Sequence, residues 1–210
     1  MFSKLKNLFS NVASAIDENQ NKPETRFEYM AESENLIRKV NAECNNSNAN
    51  LFEKDILGYF ESMKNSIEKE TEFIKLLAYV DSSNADKLLE SYDFVQKMFM
   101  HHGMISSRFN NPKIKMFAVQ NMQIIPPVAF GYFGVFDEKL LSVCNNQEIK
   151  KLVKEKQDCS KQMNEVHLKM VQMIKSGEKE SVRPLREESS MLNIKKEELE
   201  SKLLDALRGL

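Results

Sequence analysis

Histidine and cysteine are the residues of this 210-residue chain best suited to catalysis or metal binding. His101 and His102 are adjacent, so on a helix their side chains point about 100° apart and cannot chelate one ion together. The three cysteines, Cys44, Cys144 and Cys159, form neither a CxxC pair nor a Cys/His spacing typical of zinc sites. We therefore predict no metal site, no cofactor and no disulfide framework.

The motifs of common enzyme classes are also missing. The sequence contains no GxxxxGK[ST], HExxH or GxSxG. Pairs such as Lys64 and Glu68 have the four-residue spacing that supports a helix face rather than acid–base catalysis. We expect a protein that is not an enzyme and whose function depends on its architecture and its surface.

The first 16 residues have the pattern of a surface-binding helix. Five apolar residues at spacings of three and four share one helical face, namely Phe2, Leu5, Phe9, Val12 and Ile16. The other face is mainly serine and asparagine, and its only charges are Lys4 and Lys6. The pattern predicts an amphipathic helix that inserts its apolar face into lipid while the lysines meet headgroups. The alternative is a helix docked on the protein's own core.

A polar linker separates this segment from the rest of the chain. Residues 17–23 (DENQNKP) are typical of a flexible linker, and residues 24–210 are predicted to form a single helical domain. Apolar runs within residues 1–16 are at most two residues long, too short for a secretory signal. Together with the odd number of cysteines, this favours a cytoplasmic protein.

Six glycines and five prolines give few turn signals, which favours long helices over a sandwich or barrel. Apolar stripes at helical spacing begin at Phe27 and Met30, at Phe52 and at Ala85. Residues 45–50 (NNSNAN) and 81–84 (DSSN) are predicted breaks between these helices. The sequence therefore predicts an all-α fold.

The longest stripe lies near the C-terminus. Its members follow the a/d spacing of a coiled coil: Ile149, Leu152, Lys156, Cys159, Met163, Val166, Met170 and Met173. Gly177 is placed to end this helix, and Pro184 suits the first turn of the next one. We predict an antiparallel hairpin of two helices, each of about 30 residues and 45 Å. The apolar seam also predicts a homodimer.

Residues 116–136 contain no charged side chain. The length suits a membrane span, but the pair Pro126 and Pro127 would break its hydrogen-bond ladder. We expect instead a buried connector or kinked helix, with five side chains packed on the other helices: Ile124, Ile125, Phe130, Phe133 and Phe136. The nearby basic residues suit a membrane-proximal surface: Arg108, Lys113 and Lys115.

The net charge of −1 and the pI near 6.4 argue against nucleic-acid binding. Charge is nevertheless uneven along the chain. Residues 17–100 carry ten basic and 17 acidic side chains, whereas residues 101–175 carry 11 basic and six acidic ones. The second region therefore favours a local basic surface for anionic lipid.

An amphipathic N-terminal helix, a polar linker and long heptad-patterned helices resemble the BAR (Bin/amphiphysin/Rvs) family in its N-BAR form. The resemblance covers essentially the whole chain and rests on periodicity. It implies an elongated antiparallel helical bundle, and a curved homodimer that senses or generates curvature as a peripheral protein on cytoplasmic membranes. It also implies a basic concave face, to which we assign Lys150, Lys151 and Lys154.

Two other functions remain open on the sequence alone. A coiled-coil adaptor or structural protein would use the same stripes to bind other proteins rather than lipid. A helical-bundle enzyme or ligand carrier would use the apolar residues 116–136 as a pocket. Binding to liposomes separates the first of these from a membrane-shaping dimer.

Overall fold

The computed structural model describes residues 26–177 and 182–210, and every regular element in these ranges is helical. Within these ranges seven α-helices follow one another: α1 Tyr29–Glu43, α2 Asn50–Leu76, α3 Ala85–Ile105, α4 Pro112–Asn121, α5 Ile125–Val143, α6 Gln147–Ser176 and α7 Val182–Arg208. Short 3₁₀ turns lie at Ser106–Arg108 and Met122–Ile124. The predicted all-α fold is confirmed.

Asparagine side chains begin two of these helices. The Oδ1 atom of Asn111 accepts hydrogen bonds from the backbone N–H groups of Lys113 and Ile114 at the start of α4. Asn146 does the same at the start of α6, accepting from Glu148 at 2.9 Å. These bonds satisfy backbone donors that have no partner within the helix, so each asparagine fixes the point at which a helix starts.

Helix α2 supplies much of the core. Its predicted stripe is confirmed, because the side chains at 3/4 spacing from Ile56 to Ile74 are fully buried: Ile56, Phe60, Met63, Ile67 and Ile74. Around α2 pack α1, α3, α4 and α5. We call these five helices the body.

The predicted stripe of α1 is wrong by part of a turn. Met30, expected to face inward, is 61% exposed, whereas Ser33 is fully buried. The Ser33 hydroxyl lies 2.9 Å from Nε2 of His101 on α3 and donates to the carbonyl of Met30. A buried polar residue with partners therefore occupies a position that apolar periodicity cannot identify.

Residues 116–136 form a connector broken into two helices. The Met122–Ile124 turn separates α4 from α5, and a proline lies in the first turn of α5, where backbone N–H groups lack helical partners. Ile125 and Phe136 are fully buried, as expected, but Phe130 is 61% exposed, which corrects that part of the prediction. None of the helices in residues 26–177 and 182–210 combines the length and the apolar character of a membrane span.

The predicted C-terminal hairpin is confirmed. Helices α6 and α7 pack along each other, and Gly177 ends α6 with φ of 85°, a conformation that favours glycine. At the base of the hairpin, Val153 and Leu203 join the main core, whereas Val166 is buried outside that core. We call the outer part of the hairpin, residues 159–176 and 182–199, the arm.

Candidate membrane surfaces and an interhelical cleft

The predicted insertion residues Phe2, Leu5, Phe9, Val12 and Ile16 lie outside the described residues, as do Lys4 and Lys6. The first described residue, Arg26, is held on the body. Its Nε donates to Glu70 of α2 at 3.0 Å, and its guanidinium lies 3.5 Å from Glu90 and 5.2 Å above the Phe94 ring of α3. The chain therefore enters the described domain beside α2 and α3.

The predicted headgroup residues of the domain fall into two separate groups, Arg108, Lys113 and Lys115 around the start of α4 and Lys150, Lys151 and Lys154 in the first turns of α6. Lys113 donates to the carbonyl of Asn46, just before α2 begins. The start of α6 instead follows Val143, whose carbonyl accepts from Val80, just after α2 ends. Since 27 residues of helix span about 40 Å, the two groups lie near opposite ends of the body.

These basic side chains differ in whether they form ion pairs within the protein. Arg108 binds the carboxylate of Glu34 through both terminal nitrogens, and this bond lowers the pKa of Glu34 and raises that of Arg108. Lys151 lies 3.8 Å from Glu155. Lys115 and Lys154 are exposed and form no ion pair with any described residue. These two are therefore the most available for headgroups.

The outer face of α4 combines apolar and basic side chains. Met116 is 64% and Val119 is 41% exposed, while Ile114 and Ala118 face the core. On this short helix, Lys113 and Lys115 flank the two exposed apolar residues. We call Lys113, Lys115, Met116 and Val119 the α4 patch. Apolar residues flanked by lysines are the arrangement expected at a membrane interface.

A cleft of about 410 Å³ opens between the body and the hairpin. The body wall is mainly apolar and comprises Phe99 and Met100 of α3 with Phe130 and Phe133 of α5. The ring centroids of Phe99 and Phe130 are 5.3 Å apart. The hairpin wall is polar, from Ser160 of α6 and Asn193, Lys196 and Glu197 of α7. The cleft therefore presents an aromatic surface opposite a charged one.

The floor of the cleft is a polar network that ties the hairpin to the body. Lys156 Nζ lies 2.6 Å from Asp137 Oδ1, and both side chains are largely buried. The hydroxyl of Tyr92 and the amide of Gln96 donate to the same oxygen of Glu200, at 2.6 and 3.1 Å. Burial raises the pKa of Asp137, and the Lys156 ammonium opposes that shift.

Sequence reasoning identified Lys156 only as the charged member of the α6 seam, and it missed Asp137. A usable signal was present, because a lysine at an a/d position needs a buried counterion. Asp137 comes immediately after the charge-free residues 116–136 and is the first carboxylate that α5 offers. Glu200 had no comparable signal, since its partner Tyr92 is 108 residues away in sequence.

The contact between Ser33 and His101 has the residue types of a nucleophile and base. Ser33 is fully buried, and its hydroxyl donates to the Met30 carbonyl at 2.8 Å. Burial is the main cause of the lowered pKa of His101, and Arg108 adds to it. A nucleophile must reach its substrate, so this contact serves to join α1 to α3.

Within the described residues, no three His, Cys, Asp or Glu side chains are grouped closely enough to hold a metal ion. No protein-family model, curated protein or solved structure matches the chain. The function must therefore be inferred from the residue pattern and the geometry of the chain itself.

Proposed function

We propose that this chain is a peripheral membrane-binding protein that senses or generates curvature as a homodimer. The observation that carries the proposal is the single apolar face of residues 1–16, backed by polar residues and two lysines. A polar linker follows, and Arg26 fixes its far end on α2 and α3. The amphipathic segment is thus tethered to a folded domain at a defined place.

Apolar insertion is the main source of affinity in this mechanism. Burying a large apolar side chain contributes about 1.5–3 kcal/mol, and the five apolar residues share one face. Each lysine near an anionic surface adds about 1 kcal/mol. Ordering the backbone opposes binding. Binding should therefore depend more on Phe9 than on Lys4 and Lys6.

The α4 patch supports a second membrane contact. Met116 and Val119 are exposed on a face that Lys113 and Lys115 flank. Side chains of this kind rest at the level of the headgroups. Residues 1–16 would supply the deep insertion, and the α4 patch a shallower contact of the folded domain.

The arm supports the dimer and the elongated, BAR-like bundle. Four large apolar side chains on its surface remain exposed, namely Leu168, Ile174, Met191 and Ile194. A second copy whose arm packs against these residues would bury them and lengthen the assembly. The same residues also fit a protein partner, which keeps a coiled-coil adaptor as the alternative function.

Co-sedimentation with small anionic liposomes tests the proposal. We expect Phe9→Glu to reduce binding more than the double change of Lys4 and Lys6 to alanine. Leu76→Glu is the matched control, since Leu76 is 81% exposed at the end of α2 opposite to the α4 patch, and it should bind normally. If the lysine change is the more damaging and salt alone releases the protein, insertion is not the mechanism. If the wild-type protein ignores liposomes, the adaptor function replaces this one.

A further inference from the structure

The body wall of the cleft is an apolar surface with no partner among the described residues. At its rim, Met100 is 67% and Phe130 is 61% exposed. Phe99 and Phe133 continue the surface inward, with ring centroids 6.4 Å apart. Contiguous exposed apolar side chains rimmed by polar ones are typical of an interaction site.

The hairpin wall and the floor of the cleft carry negative charge that no ion pair with a described residue neutralises. Among the described residues, Glu200 on the floor accepts hydrogen bonds only from the neutral Tyr92 and Gln96, and Glu197 on the hairpin wall accepts one from Asn193. Neither carboxylate forms an ion pair with any described residue, although Lys196 lies on the same wall. Lys156 is already neutralised by Asp137. The cleft therefore suits a ligand that is apolar on one side and basic on the other.

We propose that residues 1–16 of this same chain occupy the cleft, with Phe2 and Phe9 against the aromatic wall. The only charged residues in this segment are Lys4 and Lys6, and they would meet Glu197 and Glu200. A cleft of about 410 Å³ has room for these two rings, so docking would hide Phe2 and Phe9 from solvent.

The length and anchoring of the linker permit this docking. Arg26 is fixed against Glu90 and Phe94 of α3, the helix that also supplies Phe99 and Met100 to the cleft. Positions 94 and 100 are separated by about 9 Å along the helix axis. Residues 17–25 span at most about 30 Å when extended, which is enough to pass around α3.

If residues 1–16 also bind lipid, as the proposed function states, the cleft and the membrane compete for the same apolar face. This consequence rests on the proposed function. One apolar face cannot contact the aromatic wall and insert into lipid at the same time. The fraction of chains with the segment free then sets the apparent affinity for lipid. Changes that weaken the cleft should strengthen membrane binding.

Methionine oxidation in the full-length protein tests the docking directly. Met100 and Met116 are similarly exposed in the described domain, at 67% and 64%, but only Met100 lies on the cleft. Without lipid, we expect dilute hydrogen peroxide to oxidise Met100 several-fold more slowly than Met116. The double change of Phe2 and Phe9 to serine should bring the rate of Met100 up to that of Met116. Peptide mass spectrometry measures both rates in one sample.

Equal rates in the wild-type protein, or no effect of the double change, would overturn the proposal. Protection of Met100 that fades on dilution would also overturn it, because the segment would then come from another chain. Adding small anionic liposomes should deprotect Met100 if the membrane function is correct. Protection that liposomes leave unchanged, without co-sedimentation, keeps the docking and refutes the membrane function. Co-sedimentation with liposomes in a protein whose Met100 is not protected keeps the membrane function and refutes the docking.

Discussion

Lys156 joins the hairpin to the body through a largely buried ion pair with Asp137. It occupies an apolar seam position, is 6% exposed and lies 2.6 Å from Asp137. Removing one member of a buried ion pair leaves the other charge uncompensated, at a cost of about 3–5 kcal/mol. We expect Lys156→Met to lower the free energy of unfolding in urea by this amount at neutral pH. Replacing both residues, with Asp137→Leu added, should recover most of it.

The pH dependence of the Lys156→Met variant shows whether the uncompensated charge of Asp137 causes the loss of stability. Burial raises the pKa of Asp137 above its ordinary value of 3.8, and losing Lys156 raises it further. Between the ordinary pKa and the raised one, the folded variant holds a proton on Asp137 that the unfolded chain has released. The free energy of unfolding of the variant therefore falls as the pH rises through this range, and it recovers on acidification. Lys151→Met, at an exposed position, is the control and should follow the wild-type profile. A variant profile parallel to the wild type would show that the pair contributes little.

His101 and His102 predict a second, opposite pH dependence. Burial lowers the pKa of both below the ordinary 6.5. The unfolded chain therefore binds more protons than the folded one, and stability falls as pH drops below about 6.5. We expect the melting temperature to decrease from pH 7 to pH 5.5, and the double change to asparagine to flatten that decrease. His167→Asn removes an imidazole at an exposed position and is the matched control variant.

At the scale of elements, the two faces of α6 in the arm give a direct test of the heptad pattern. Val166 is 2% exposed within the hairpin, whereas Leu168, two residues further on, is 61% exposed. Burying an unpaired carboxylate costs several kcal/mol. We expect Val166→Asp to reduce helicity by circular dichroism, and Leu168→Asp to leave helicity nearly unchanged. If the two variants lose the same helicity, Val166 does not face the interior of the hairpin and the heptad pattern is wrong.

The hairpin was predictable because a repeated seam, a helix-ending glycine and a first-turn proline all agree on it. Helix α5 was less predictable, since a charge-free stretch gives no polar face from which to tell inside from outside. The sequence therefore predicts Phe130 in the core, yet Phe130 lies on the rim of the cleft. In α1 the apolar pattern fails for another reason, because the polar residue Ser33 is buried.

The cleft itself could not have been predicted from local patterns. Its floor joins Tyr92 and Gln96 to Glu200 across more than 100 positions of sequence. Helical periodicity reports which face of one helix is apolar, but not which helix lies opposite. The predicted lysines illustrate the same limit, because Lys115 and Lys154 share a charge and a proposed role but lie toward opposite ends of the body.

For the whole molecule, that separation bears on how the protein could meet a membrane. One copy that rests on its α4 patch keeps the lysines at the start of α6 about a helix length away. A curved dimer offers a way to bring both groups to one surface, because a concave face contacts the membrane along its length. The geometry of the dimer therefore decides whether Lys150, Lys151 and Lys154 contribute to lipid binding.

We predict that the full-length chain is an elongated dimer at micromolar concentration. Association costs about 4–15 kcal/mol in lost freedom, while each large apolar side chain that is buried returns about 1.5–3 kcal/mol. Leu168, Ile174, Met191 and Ile194 are 49–71% exposed, so each returns a fraction of that value, and two arms together supply a gain of the same order as the cost. Light scattering gives the mass, and small-angle scattering gives the shape.

Leu168→Asp and Met191→Asp separate dimerisation from folding. Both positions are exposed in the single chain, so both variants should keep their helicity. If the arms form the interface, a charge at either position leaves a folded monomer whose liposome binding is weakened but whose residues 1–16 are intact. A wild-type chain that is already a compact monomer would remove the BAR-like dimer. The liposome experiment alone would then test membrane insertion by residues 1–16.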